Sequence, residues 1–218
     1  MGVRLGADGP KALVDVGGRP LLAVTLARFS GMGLLDPAVI VAPVAFFPAF
    51  ERALGACLKP GSWVLVEGGA ERQESVARGL AALRDDAEIV VIHDAARPFV
   101  PRQAVEASIA EAAAHGGATV AVPVSDTILI ADERQFLDST PDRRMLWACQ
   151  TPQTFQVGVI RRAHRAAVEG GWLCTDDATL VRRTGLPVRI VEGSPANFKV
   201  TTAFDLATAR RMVSEEAL

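Results

Sequence analysis

The chain has 218 residues, half of them apolar, and a net charge of −2. That length allows one or two domains with a sizeable core, and the near-neutral charge excludes capture of nucleic acid or a membrane surface through bulk charge. An anionic ligand must therefore be met by local clusters of Arg and Lys.

The first residues carry Gly2, Arg4, Gly6 and Gly9 ahead of Pro10-Lys11. Such a loop lets backbone N–H groups approach phosphate, with Arg and Lys neutralising its charge; the same composition also suits a flexible end. A short extended piece, the Gly17-Gly18 turn and a helix predicted over 20–29 would hold Lys11 on defined backbone. Strands are predicted at 38–44 and 63–66. The second runs into Glu67-Gly-Gly-Ala-Glu-Arg-Gln-Glu-Ser75 and a helix over 71–83. Gly68 and Gly69 leave backbone uncovered for a planar base, and Ser75 lies one turn into the helix; an ordinary strand-to-helix turn reads the same way.

A strand at 88–93 ends in His93-Asp94-Ala-Ala-Arg97-Pro. A carboxylate at a strand's end can hold Mg²⁺ or a substrate hydroxyl, and Arg97 can take a phosphate oxygen; the alternative is an internal Asp–Arg pair shaping the turn. A helix over 101–115 and a strand at 118–124 follow. Segment 126–155 then breaks the rhythm and reads as an excursion from the sheet, a hairpin arm or a long surface loop, with the apolar Met145-Leu-Trp-Ala-Cys149 arguing against disorder. Beyond a helix over 157–168 come Thr175-Asp-Asp177, a strand at 188–191, and Asn197-Phe-Lys199-Val-Thr201, with Lys199 on a short strand before a final helix over 203–214.

Val/Ile-rich strands alternating with helices predict a single α/β domain over 1–218, with a mostly parallel sheet flanked by helices. The three cysteines (Cys57, Cys149, Cys174) and three histidines (His93, His115, His164) have no metal-ligand spacing. No apolar run approaches the roughly 18 residues of a membrane span, and the N-terminus lacks a signal-peptide core. The expectation is a cytoplasmic protein without a nucleic-acid or membrane partner.

In their order along the chain, Gly-Val-Arg-Leu-Gly with Pro-Lys, Gly-Gly-Ala-Glu-Arg-Gln-Glu-Ser, His-Asp-Ala-Ala-Arg-Pro, Asp-Thr, Thr-Pro-Gln, Thr-Asp-Asp-Ala and Asn-Phe-Lys-Val-Thr resemble the 2-C-methyl-D-erythritol 4-phosphate cytidylyltransferases of non-mevalonate isoprenoid synthesis. The resemblance implies a nucleotide-diphospho-sugar-transferase-like fold, Mg²⁺ dependence, and a homodimer joined by a protruding β-arm at 126–155. It implies that CTP gives its cytidylyl group to a sugar-alcohol phosphate. Arg4, Lys11 and Lys199 would surround the α-phosphate; Gly68, Gly69, Arg72 and Ser75 would hold CTP by its base turn. Asp94, Arg97, Thr175 and Lys199 would hold the acceptor, with Thr127, Arg143 and Thr151 supplied by the partner's arm. Asp94 is also the candidate metal ligand.

The chemistry agrees. A phosphate monoester, already ionised at neutral pH, attacks the α-phosphorus in line, so positioning and cationic stabilisation suffice without a nucleophilic dyad. The rival readings are a ribitol-5-phosphate cytidylyltransferase and a non-catalytic nucleotide-binding protein. The family usually opens with a strand and an Ala-Ala-Gly turn ahead of the segment that starts this chain. The expectation is therefore a natural polypeptide that begins further upstream, with residues 1–9 poorly ordered and CTP bound weakly by the 218-residue form.

Overall fold

The computed structural model describes residues 9–35 and 37–216. Lys11–Leu13 make one 3-10 turn. Then β1 (Asp15–Val16) and β2 (Arg19–Pro20) pair antiparallel across Gly17 and Gly18. Both glycines have positive φ, 65° and 80°, the two-residue hairpin geometry that side chains resist. α1 (Leu21–Ser30) follows with Pro20 at its N-cap, where a missing N–H does no harm.

β3 (Ala38–Ala42) leads into α2 (Phe47–Gly55), and β4 (Trp63–Glu67) returns parallel to β3. The sequence pattern gives no helix over α2, because only Phe50 and Leu54 on it are buried; one such pair is too short to establish a period. α3 (Arg72–Ala81), β5 (Ile89–Ile92), α4 (Arg102–His115) and β6 (Gly117–Pro123) continue the alternation. A small hairpin of β7 (Ile130–Ala131) and β8 (Leu137–Ser139) comes next. β9 (Trp147–Gln156), α5 (Val157–Gly170), α6 (Asp177–Arg183), β10 (Arg189–Glu192) and α7 (Ala203–Glu216) complete the chain.

The larger sheet has the order β10-β6-β9-β5. β6 and β10 are parallel, while β9 lies antiparallel to both β6 and β5. The sheet is therefore mixed, where the Val/Ile runs predicted a mostly parallel one. The reason is the excursion: a chain that leaves the end of β6 and comes straight back must run antiparallel to it. β9, with the sequence Trp-Ala-Cys-Gln-Thr-Pro-Gln-Thr-Phe-Gln, has none of the aliphatic signal that marks its neighbours. Residues 147–155 thus belong to the sheet, and the arm is confined to the stretch between β6 and β9. A second correction concerns Lys199, which lies on no strand; its loop is held by Val200 N–H donating to the Ala96 carbonyl at 2.8 Å.

β3 and β4 form a separate pair. A cavity of ≈1080 Å³ lies between this pair and β5, walled by Val39, Val41, Val90 and Ile92 and by apolar residues of α1 and α3. Among the described residues no strand pairs with the second edge of β3 or of β5.

A packed apolar cluster adjoins the cavity, sharing Leu80, Val90 and Ile92 with its wall. Phe155 on β9 is fully buried against Leu80, Ile160, Leu180 and Val181. α5 presents Val159, Ile160, Ala163 and Ala167 at helical spacing to this cluster. Replacing Phe155 by Ala removes the ring on which α5 and α6 meet. Phe155→Ala is expected to lower unfolding stability by about 3–5 kcal/mol in urea titrations; a loss below about 1 kcal/mol would show that this cluster does not hold the layer.

Candidate active site

The cavity opens where β5 ends, and Lys11, Arg72, Ser75, His93 and Asp94 line it there. Asp94 is its charge centre. The carboxylate Oδ2 lies 2.9 Å from Lys199 Nζ and 3.6 Å from Arg97 Nε. Burial by itself would raise the Asp94 carboxyl, but Lys199 first, then Arg97 and Arg72, outweigh it and hold the group below the usual carboxylate range. The Arg97 guanidinium also donates to the carbonyls of Asn197 at 2.7 Å and Cys149 at 3.3 Å. The internal Asp–Arg pair therefore has its counterpart: Arg97 braces the turn, and its Nε edge faces Asp94.

Across the mouth, the turn after β4 is folded by its own helix. Gly68 N–H donates to the Ala42 carbonyl at 2.9 Å and Gly69 N–H to Ser75 Oγ at 2.9 Å. Ser75 Oγ in turn donates to the Glu71 carbonyl at 3.0 Å. Glu74 reaches back to accept from Ala70 N–H at 2.8 Å. A Cβ at Gly69 would lie 2.5 Å from the Glu74 side chain, so this position has no room for one. Arg72 turns away from this loop, with Nη1 2.7 Å from Asp177 Oδ2.

Thr151 sits beside Asp94 within the same chain. Its Oγ1 accepts from Asp94 N–H at 3.0 Å and contacts His93 Nδ1 at 3.0 Å. That corrects the expectation of a Thr151 supplied by a partner's arm: β9 pairs with β5 and carries Thr151 past its end. Burial pushes His93 down to about 4, against the upward pull of the Arg97 carbonyl and Asp94. The ring is thus neutral at pH 7. With Nε2 2.9 Å from the Arg97 carbonyl, the network assigns the proton to Nε2 and leaves Nδ1 to accept from Thr151.

The remaining expected residues lie elsewhere. Thr127 and Arg143 are on the exposed excursion, where Arg143 Nη1 donates to the Ser125 carbonyl at 2.8 Å. Thr175 is exposed beside Asp176, and Asp176, not Thr175, caps α6 by accepting from Thr179 N–H. Arg4 lies outside the described residues. His93, Gln153, Asp177 and Asn197 were missed as site residues, although each lies inside a motif already singled out. Gln153 lies in a run of buried residues, 150–155, whereas His93, Asp177 and Asn197 have partly or fully exposed neighbours and give no such signal. Among the described residues no three His, Cys, Asp or Glu side chains gather into a metal cage.

A mixed α/β sheet, a glycine turn at one strand end, and cations around a carboxylate at the next define a nucleotidyltransferase. Its fold matches 4-diphosphocytidyl-2C-methyl-D-erythritol synthase from Anaerococcus prevotii with a TM-score of 0.86 at 27% identity, covering 94% of each chain. The 2-C-methyl-D-erythritol 4-phosphate cytidylyltransferase from Thermus thermophilus matches with a TM-score of 0.79 at 37% identity over 95% of each. The family model for that enzyme matches residues 1–215. A relative bearing the same name from Synechococcus sp. is 43% identical over 215 residues, 98% of this chain and 95% of its own. The chain belongs to the 2-C-methyl-D-erythritol 4-phosphate cytidylyltransferase family and is a cytidylyltransferase.

The neutral His93 has a consequence for stability. Its folded pKa of about 4 lies below the ordinary 6.5, so the unfolded chain takes up the proton first as pH falls. The stabilisation is complete above about pH 6.5 and drains away towards pH 4, a window above that of Asp94, whose contribution is lost only below the ordinary carboxylate range. Urea midpoints between pH 4 and 7 should fall more steeply with acid for the wild type than for His93→Gln. Parallel profiles would refute the assignment.

Proposed function

We propose that the cleft transfers CMP from CTP to 2-C-methyl-D-erythritol 4-phosphate, in the non-mevalonate isoprenoid pathway, with Lys11 and Lys199 stabilising the charge that develops at the α-phosphorus. The observation that carries the residue roles is the Lys199–Asp94 pair at the mouth that Lys11, Ser75 and Arg72 also line. Arg4 is assigned beside Lys11 by its motif alone. Gly68, Gly69 and Ser75 offer the cytosine a turn already held by its own hydrogen bonds. Asp94, Arg97 and Thr151 take the acceptor, with Thr175 assigned to it by its motif alone.

The reaction follows from this arrangement. An oxygen of the acceptor phosphate forms a bond to the α-phosphorus, the α–β bridging bond breaks, and pyrophosphate leaves with the electron pair. The acceptor phosphate is ionised at neutral pH, so no residue has to remove a proton. Lys199, kept in place by Asp94, is positioned before substrate arrives and needs little reorganisation during the step.

Mg²⁺ fits this donor set only as a counter-ion of the nucleotide. Asp94 is the carboxylate that faces the cations, and its Oδ2 is already engaged by Lys199. One protein carboxylate plus substrate phosphates is a normal Mg²⁺ environment, so Asp94 would be its protein ligand. The ion supplies charge neutralisation on the phosphates.

The homodimer is supported by the excursion between β6 and β9. Leu129, Phe136, Leu137 and Met145 are all at least 60% exposed there, an apolar surface of the kind that marks an interface. Within such a dimer, Thr127 and Arg143 would reach the neighbouring acceptor pocket.

Lys11→Ala and Lys199→Ala should fold and lose on the order of 10²–10³ in kcat, the usual cost of an oxyanion-stabilising donor. Pyrophosphate release from CTP with 2-C-methyl-D-erythritol 4-phosphate is the measurement, with ribitol 5-phosphate as the competing acceptor. More than about a tenth of wild-type kcat in either variant, a barrier change of only about 1.4 kcal/mol, would remove it from the role.

Sharing of sites predicts complementation. Arg143→Ala and Lys199→Ala proteins, each inactive, should regain part of the activity when mixed, because one site of the mixed dimer receives both intact residues. A verified heterodimer without rescue would count against the shared site.

A further inference from the structure

Arg72 and Asp177 lie far apart in sequence, on the first residues of α3 and α6. Asp177 is 1% exposed. Its Oδ1 is 3.2 Å from His164 Nε2, itself buried, and its Oδ2 is 2.7 Å from Arg72 Nη1. Its backbone is pinned as well: Gln153 Oε1 accepts from Asp177 N–H at 2.9 Å and from Ala178 N–H at 3.3 Å. The only one of these groups that reaches the cleft is Arg72, which lines the cavity together with Ser75 and Asp94. Its charge adds to the lowering of two carboxyls, behind Lys199 and Arg97 at Asp94 and behind the Thr179 and Gln153 hydrogen bonds at Asp176.

A carboxylate removed this fully from water costs several kcal/mol unless its partners offset it, and a packed apolar side chain would serve mere cohesion as well or better. What the ion pair adds is a fixed anchor: Asp177 Oδ2 holds Arg72 by charge contact at 2.7 Å, without a hydrogen bond of its own. An Arg side chain has many rotamers, and a guanidinium clamped on one side by a fixed carboxylate presents its other nitrogens along one line. Here the clamped guanidinium belongs to a residue that borders the cavity where two polyanions must meet.

We infer that Asp177 is a positioning residue for cytidylyl transfer: fixed by His164 and Gln153, it orients the Arg72 guanidinium towards the phosphates of CTP. This rests on the cytidylyl-transfer reading of the cleft. Asp177 touches no substrate and acts only through Arg72.

The test is a double-mutant cycle with Asp177→Asn, Arg72→Ala and the double variant, read as kcat and KM for CTP. CTP affinity by calorimetry makes the cycle readable without turnover, and thermal melting monitors the fold. Asp177→Asn keeps the side-chain volume and an oxygen for His164 but loses the charge. It should lower kcat/KM and CTP affinity by on the order of tenfold to a hundredfold, the cost of a group displaced by about 1 Å. The same change should cost nothing further in the Arg72→Ala background. An equal loss in both backgrounds, or wild-type kcat/KM and affinity in Asp177→Asn, overturns the inference. His164→Gln, which leaves the carboxylate but removes one of its anchors, provides the same cycle if Asp177→Asn does not fold; it too must lose affinity only while Arg72 is present. An inactive wild type that still binds CTP with this coupling would sink the transfer reading alone, whereas an active wild type without coupling would sink the positioning role alone.

Discussion

The site depends on a run of polar side chains buried in strand β9. Gln150, Thr151, Gln153 and Thr154 are each no more than 6% exposed. Each is satisfied, and three of them hold a different wall of the cleft. Thr151 accepts from Asp94 N–H and meets His93. Gln150 Oε1 and the Thr151 carbonyl accept from Asn197 Nδ2 at 3.0 and 2.8 Å, which anchors the loop that carries Lys199. Gln153 holds the start of α6, and through Asp177 that end of the molecule reaches Arg72. A buried polar group left without its partner costs about 1–3 kcal/mol, so the bonds made by Gln150, Thr151 and Gln153 favour one arrangement of these loops, while Asn197 Oδ1, Asp177 Oδ2 and Arg97 Nε are buried without a hydrogen bond among the described residues.

The same strand explains the electrostatics. Four charged groups, Lys199, Arg97, Arg72 and Asp94, converge where β5 ends, and in an apolar cavity wall they would repel or neutralise one another. The geometry avoids this by giving each cation a fixed acceptor. Arg97 is spread over two backbone carbonyls, Arg72 is tied to Asp177, and Lys199 rests on Asp94. The single carboxylate stays ionised because Lys199 and the guanidiniums outweigh its desolvation. An incoming polyanion then finds positive charge already in position, and most of the ordering cost falls on folding instead of on binding.

The excursion between β6 and β9 obeys a different logic. Its hairpin has only short strands and no buried residue on them, too little to be stable by itself. Asp132 organises its tip by accepting from Arg134 and Phe136 N–H groups, both at 2.9 Å. Leu129, Phe136, Leu137 and Met145 remain exposed there, in contrast to the centre of the sheet, where Val120 and Phe155 are fully buried.

The amino-acid sequence by itself determined the alternation of strands and helices, and nearly every boundary lies within a few residues of its prediction. That information is local: Val/Ile runs and helical spacing act over a handful of neighbours. Turn chemistry was equally legible, from Gly17-Gly18 to the strand-end His93-Asp94. The ordered motifs also named the family, and with it Lys11, Asp94 and Lys199. Tertiary structure alone decided the rest. β9 was unreadable because its Thr and Gln side chains look solvent-seeking until α4, α6 and the 194–197 loop supply their partners. α2 was too short to show a period. The nucleotide-turn motif places Arg72, but its ion-pair partner Asp177 lies on another helix, beyond the reach of any local pattern. Thr151 was given to a second subunit, because only the pairing of β9 with β5 brings it to Asp94. In each case the deciding interaction joins residues distant along the chain, and a buried polar group takes its meaning from the partner that folding brings to it.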